Sequence, residues 1–186
     1  MSDGTALLIM DVQQGIVGRF SNNEPYLARL ASAADAARRA HIPVIYVIVS
    51  FRSGVPEISS RNKSFSAAAA RGGFGHDDPA TEIHPGVAPQ PGDITVIKRR
   101  VSAFTGSDLS VLLSGLGVGK LVLTGIATSG VVLSTIRQAA DLDFELTVLS
   151  DGCLDADEEV HRVLTGKVFA RQAEVRTIAD WVASIS

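Results

Sequence analysis

The residues best placed to do chemistry lie in and around one stretch, residues 120–135, KLVLTGIATSGVVLST. Its apolar opening, Leu121, Val122 and Leu123, reads as a strand buried on both faces. The run breaks at Gly125 into small residues and restarts as a helix from about Gly130. In an open parallel sheet, ligands bind in the crevice at the carboxyl ends of the strands. A helix beginning there points unpaired backbone N–H groups at the occupant. This turn is therefore expected to floor a ligand site. Ser129 within it and Cys153 further on are candidate nucleophiles. Ser129 lacks the G-x-S-x-G frame, because Ala127 holds the first glycine position, and no His or Asp marks itself as its base. A turn hydroxyl bonding local backbone or ligand is the better reading. Cys153 follows the fifth strand by a few residues, and a lone cysteine is more often a small buried hydrophobe than a nucleophile.

Two further clusters imitate functional sites. Residues 115–120, GLGVGK, resemble a phosphate loop, but Ser114 stands where its first glycine belongs and Leu121 where Ser or Thr must follow the lysine. The segment also precedes a strand, so it reads as a helix stop and loop. His76, Asp77, Asp78 and His84 are potential metal ligands without a spacing that fixes their geometry, so they read as solvated loop residues and no metal is expected.

The elements that must position such residues alternate regularly. Short apolar runs at 6–10, 44–49, 93–97, 121–123, 146–149 and 175–178 read as strands. Helical periodicity follows Glu24-Pro25, where Leu27, Leu30, Ala31 and Ala34 share a face until His41-Ile42-Pro43 breaks it. Further helices are expected at 64–71, from a cap at Ser107-Asp108, at 130–142, from Asp157 to about Arg171, and around Trp181. Strands alternating with helices, without repeats or an internal linker, give a Rossmann-like α/β fold, one domain over residues 1–186, with a parallel sheet covered on both faces. Residues 53–92 are rich in Gly, Pro, Ser and Ala, and a loop that long in a compact domain is usually functional.

Composition narrows the partners. The chain has 186 residues, 46% of them hydrophobic and 20% charged, and a net charge of −3 without a block of one sign, which argues against nucleic acid or an anionic membrane. One cysteine excludes an internal disulfide, and neither a leader pattern nor a long apolar window is present, so the protein is expected to be cytoplasmic.

LLIMDVQ at 7–13, KRRVSAFTGSDL at 98–109, LVLTGIATSGVV at 121–132 and SDGCLD at 150–155 together resemble the isochorismatase-like, or cysteine hydrolase, superfamily over nearly the whole chain. The resemblance implies a three-layer α/β/α sandwich around a six-stranded parallel sheet, a small-molecule substrate, no cofactor and assembly into a homo-oligomer. It assigns the catalytic acid to Asp11 and the catalytic lysine to Lys98. It also places the family's cis peptide at Ile126–Ala127 and its oxyanion donors at the backbone N–H groups of Ala127 and Val131. The chain departs from the pattern at two points. The position of the family's nucleophilic cysteine is Val131, and valine can neither attack a carbonyl nor form a thioester. The nicotinamidase metal motif after strand two is likewise replaced, by Ser50-Phe51-Arg52.

An acid, a cation and a pocket of backbone donors remain. That set suits protonation without a covalent intermediate, as in the isochorismatases, where an acid protonates a vinyl ether and water attacks the resulting cation. Burial would raise the pKa of Asp11 and Lys98 would lower it, so their balance decides whether Asp11 holds a proton near neutral pH. Arg52, Arg100, Phe104, Gln13 and Ser129 are the expected pocket-shaping or substrate-binding residues, a cationic rim suiting a carboxylate. The competing reading of Asp11 and Lys98 is a buried ion pair that braces two strand ends. Two alternatives to the cysteine-independent hydrolase follow: a silent binding protein that keeps the pocket, and a hydrolase using Ser129 or Cys153.

Overall fold

The computed structural model describes residues 4–72 and 74–185. Six strands, β1 (Thr5–Met10), β2 (Val44–Val49), β3 (Ile94–Lys98), β4 (Lys120–Ile126), β5 (Glu145–Leu154) and β6 (Glu174–Arg176), form one sheet in the order β3-β2-β1-β4-β5-β6. Every neighbouring pair is parallel. In the central strand β1, Leu8 sits opposite Ile45 on one side and Leu123 on the other. The strand's unbroken apolar run follows from double coverage, since successive side chains point to opposite faces and both faces are packed. Ala6, Leu8 and Met10 join a core with Leu109 and Leu113 of α4 (Leu109–Gly115) and Ile136 and Ala139 of α5 (Leu133–Asp141). Leu7 and Ile9 join the other, with Leu27, Leu30 and Ala34 of α2 (Glu24–Arg39) and Trp181 of α7 (Ile178–Ile185). These are the two helical layers of an α/β/α sandwich.

The expected helix before β3 is α3 (Lys63–Arg71), and Asn62 caps it by accepting from the Phe65 N–H. At α4 the first-turn N–H of Leu109 is taken by the Ser107 hydroxyl at 3.2 Å, whereas Asp108 makes no side-chain cap. The helix after Asp157 divides into α6 (Glu158–Val163), a π turn over Leu164–Val168 and a 3-10 turn over Phe169–Arg171. A one-turn helix, α1 (Gln14–Val17), and 3-10 turns at Pro79–Thr81 and Pro85–Val87 lie where the apolar pattern is silent.

The strands around the turn at 125–131 run further than their apolar runs. β4 passes through Gly125 to Ile126 and stays paired with β1 up to Met10–Gly125. Glycine makes this contact feasible: Gly125 has φ +143°, and a Cβ there would lie 2.2 Å from the Met10 carbonyl oxygen. The β4–β5 register shifts between Leu123 and Gly125, and β5 continues through Ser150-Asp151 to Leu154. Cys153 is consequently inside a strand, opposite Gly125, not beyond it. The helix expected from Gly130 begins as a π turn over Thr128–Val132 and becomes α5 at Leu133.

Candidate active site at the sheet's switch point

The strand order reverses between β1 and β4, so their connections leave in opposite directions and open a crevice at their carboxyl ends. Asp11 is the first residue beyond β1, at φ +57°, a left-handed conformation that short polar side chains tolerate best. Its N–H donates to the Val47 carbonyl at 2.8 Å, which fixes it between β1 and β2. Lys98, the last residue of β3, reaches back so that Nζ lies 2.9 Å from Asp11 Oδ2. The same Nζ donates to the carbonyls of Arg100 at 3.0 Å and Val101 at 2.9 Å, which uses all the donors an ammonium has. Both side chains are buried, Lys98 at 2% exposure and Asp11 at 9%.

The other carboxyl oxygen is treated differently. Asp11 Oδ1 is buried and has no hydrogen-bond partner among the described residues. Burial raises the Asp11 pKa above the usual carboxylate range, and the attraction and hydrogen bond of Lys98 only partly offset it. The balance left open by the sequence thus falls on the side of desolvation.

Asp11 and Lys98 line a cavity of about 770 Å³ together with Ala127 and Val131. The Ile126–Ala127 peptide bond is cis, as the resemblance implies. Behind it, the N–H groups of Gly130 (3.0 Å) and Val132 (3.3 Å) donate to the Ala127 carbonyl and close the turn. Val131 is 2% exposed and presents a branched hydrocarbon to the cavity.

The remaining expected residues are elsewhere. Gln13 is buried and clamps two segments, its Nε2 donating to the carbonyls of Val49 (3.0 Å) and Thr81 (2.7 Å) while Oε1 accepts from the Val49 N–H. It holds the 53–92 segment to the end of β2 without lining the Asp11 cavity. Arg52 is exposed, pairs with Glu57 at 2.6 Å and borders a separate depression beside His76. Arg100 is spent on the carbonyls of Arg99 and Glu57. Phe104 is a core ring 5.8 Å from Phe144. Ser129 is exposed, with its N–H donating to Asp155 Oδ2 at 2.7 Å. Cys153 lies in the core, where burial pushes its thiol up to about 12. Asp78 and His84 cap the two 3-10 turns, and no group of three or more His, Cys, Asp or Glu among the described residues is arranged to hold a metal. The 115–120 loop lies at the amino end of β4, where the N–H groups of Gly119 and Lys120 meet the Gly4 carbonyl.

The sequence did not single out the cations that do line the cavity, Arg19, Arg29 and Arg71, or Tyr26 beside them. Tyr26 and Arg29 stand three apart in a periodic helix, a spacing that places them on one face. Thr128 was also passed over. Fully buried, its hydroxyl is 2.8 Å from His161 Nδ1 of α6.

Residues 5–180 match the isochorismatase domain family. The chain is 31% identical over 183 residues to the uncharacterized isochorismatase family protein YwoC of Bacillus subtilis, covering 97% of this chain and 94% of that one. It is 30% identical over 211 residues to the ureidoacrylate amidohydrolase RutB of Stutzerimonas stutzeri, covering 97% and 79%. Among solved structures, an isochorismatase family protein from Burkholderia thailandensis superposes with a TM-score of 0.85 at 29% identity, covering all of this chain and 97% of that one. A cysteine hydrolase from Pseudomonas syringae shares the fold, with a TM-score of 0.88 at 22% identity over 97% and 92%. Agreement over almost the full length, in sequence and in fold, shows that this chain belongs to the isochorismatase family of hydrolases.

Proposed function

We propose that the protein hydrolyses a small organic molecule by general-acid catalysis from Asp11, without a cysteine nucleophile and without a cofactor. The observation that carries this reading is Asp11, a residue on the cavity wall whose buried Oδ1 has no hydrogen-bond partner among the described residues. Burial of the group favours its protonated form, the form a general acid needs. With an enol ether, Asp11 would give its proton to the vinyl carbon and leave an oxygen-stabilised cation. Water adds to that cation and returns a proton to Asp11, and the hemiketal then breaks into a ketone and an alcohol. Lys98 balances the carboxylate while the proton is away. The backbone N–H groups of Ala127 and Val131 are the proposed oxygen-holding donors.

The absence of the family's thiol rests on Val131 at the expected position and on the environment of Cys153, whose proton is held too tightly for a nucleophile at neutral pH. A second reading is favoured by the same Val131: a chain that binds the family's substrates and no longer turns them over. The chain's similarity to a ureidoacrylate amidohydrolase makes amides the class for that test. Cytoplasmic location and a homo-oligomeric state are part of the proposal, and light scattering reads the protomer count.

The deciding experiment is product formation by mass spectrometry on enol ethers, small esters and amides, using wild type, Asp11→Asn and Val131→Cys. Turnover by wild type that Asp11→Asn abolishes is the expected result. Silence from wild type, with amide cleavage only in Val131→Cys, would establish the second reading.

A further inference from the structure

Only two buried side-chain polar atoms among the described residues lack a hydrogen-bond partner, and both belong to residues that line the same cavity. One is Asp11 Oδ1. The other is the hydroxyl of Tyr26, a residue 3% exposed in the first turn of α2. A buried hydroxyl left unpaired is costly, and folded proteins keep few of them. Tyr26 is otherwise an ordinary member of the α2 core, packed with Leu27 and Leu30, and phenylalanine would serve that packing equally well. The oxygen is therefore the part of the side chain that needs a reason.

Its surroundings indicate what would satisfy it. Arg29, one helical turn on, also lines the cavity and is near enough to stabilise negative charge at Tyr26. Among the described residues Arg29 is held through Nε alone, by the Asp151 carbonyl at 3.2 Å and its carboxylate at 3.8 Å. The Arg29 side chain is 45% exposed. The other titratable group that acts on Tyr26, Cys153, is uncharged because burial holds its proton. Burial also keeps the Tyr26 phenol protonated, so at neutral pH it is a donor. A phenol O–H beside a cation, without an acceptor, matches an anionic oxygen pair.

Resting on the proposed function, we propose that Tyr26 is a substrate-contacting residue whose hydroxyl, with the Arg29 guanidinium, holds the carboxylate of a small carboxylic acid. The two unpaired atoms then anchor opposite needs of one ligand: Asp11 faces the group to be protonated, and Tyr26 with Arg29 faces the charged end. Phenylalanine at this position retains the packing and removes only the donor.

The test is binding by calorimetry of benzoate, crotonate and pyruvate against their uncharged amides, to wild type, Tyr26→Phe, Arg29→Gln and Asp11→Asn. Wild type is expected to prefer the acids, and Tyr26→Phe to weaken acid binding by about tenfold to a hundredfold, the range for a hydrogen bond to a charged group. Amide binding should change little, and thermal stability should be unchanged or raised because an unpaired hydroxyl has gone. Arg29→Gln should weaken acids selectively as well. A fall in stability with equal acid affinity would give Tyr26 a purely structural role and overturn the proposal, as would wild type that binds no acid. If no substrate is ever turned over while acid binding still depends on Tyr26, this inference stands and the hydrolytic reading falls.

Discussion

The sheet carries a carboxylate–cation pair at each end, and the two are built to different specifications. At the amino end, Asp93, just before β3, meets Arg38 from the last turn of α2 at 2.6 Å. Every contact there is closed. Asp93 Oδ1 accepts from Arg38 Nε, and Oδ2 accepts from Arg38 Nη2 and from the Gln90 N–H. Arg38 also donates to Asp35 and to the Tyr46 hydroxyl. At the carboxyl end, Lys98 is saturated, but of the two Asp11 oxygens only Oδ2 has a partner among the described residues. A structural pair satisfies both partners; this one satisfies the cation and leaves half the acid for something that is not protein. The contrast favours a catalytic role for Asp11 over a brace between strand ends, because a brace has no use for an empty oxygen.

Substitutions can break that contrast. The largest expected effect is on turnover. Asp11→Asn should lose the general-acid contribution, about 10²–10⁴-fold in kcat, whereas Asp93→Asn should leave kcat unchanged, as read by steady-state assay on any substrate the panel yields. The second effect reverses the order, with stability as the readout. Asp93→Asn should cost about 2 kcal/mol, or about 5 °C in Tm. The pairwise replacement Asp11→Leu with Lys98→Met should be neutral or stabilising by about 1–4 kcal/mol, since it removes two desolvated charges at once. The sign agrees with titration. Because the folded pKa of Asp11 is raised from 3.8, its stabilising contribution is complete below that value and is lost as pH rises through the folded pKa. Raising the pH through the folded pKa of Asp11 therefore works against folding, and the double variant should show a flatter stability–pH curve.

A third, smaller change sharpens the role of the lysine. Lys98→Met removes the charge that opposes the effect of burial on Asp11, so the acid should hold its proton to higher pH. The alkaline limb of the kcat/KM profile should move upward. A limb that stays in place would mean that another group carries the proton. The smallest effect concerns the turn behind the cavity. Burial lowers the pKa of His161 below 6.5 despite the opposing charge of Asp155. Its contribution to stability is thus present above 6.5 and is lost as pH falls toward the lower folded value. His161→Gln should remove that slope from a denaturation series while keeping a partner for Thr128.

How legible an element is in the sequence depends on how local its cause is. The double-sided apolar runs of β1, β2 and β4 announce themselves, because each residue is apolar for its own reason. The extension of β5 through Ser150-Asp151-Gly152 does not, since its pairing is permitted by Gly125 across the sheet and by a register shift with no signature of its own. Asp11 and Lys98 could be named from strand ends and a family pattern, but the bare oxygen could not, because it depends on the absence of a neighbour. Arg52 and Arg100 follow strands in the sequence, but Glu57, from the intervening loop, takes up both. The cations on the cavity wall arrive from α2, α3 and the segment after α1, whose sequences carry no mark of where those helices dock.

The strand order also has a consequence for how the chain is made. β1 is buried on both edges, between β2, which begins at Val44, and β4, which does not begin until Lys120. During synthesis one edge of an almost wholly apolar strand stays without its neighbour while more than half of the chain emerges. Open apolar edges are where nascent chains aggregate or recruit chaperones. The same event that shields that edge, docking of β4, also brings the turn at 126–131 against Asp11. Solubility and a completed site are therefore acquired in one step, and a chain halted before Lys120 would have neither.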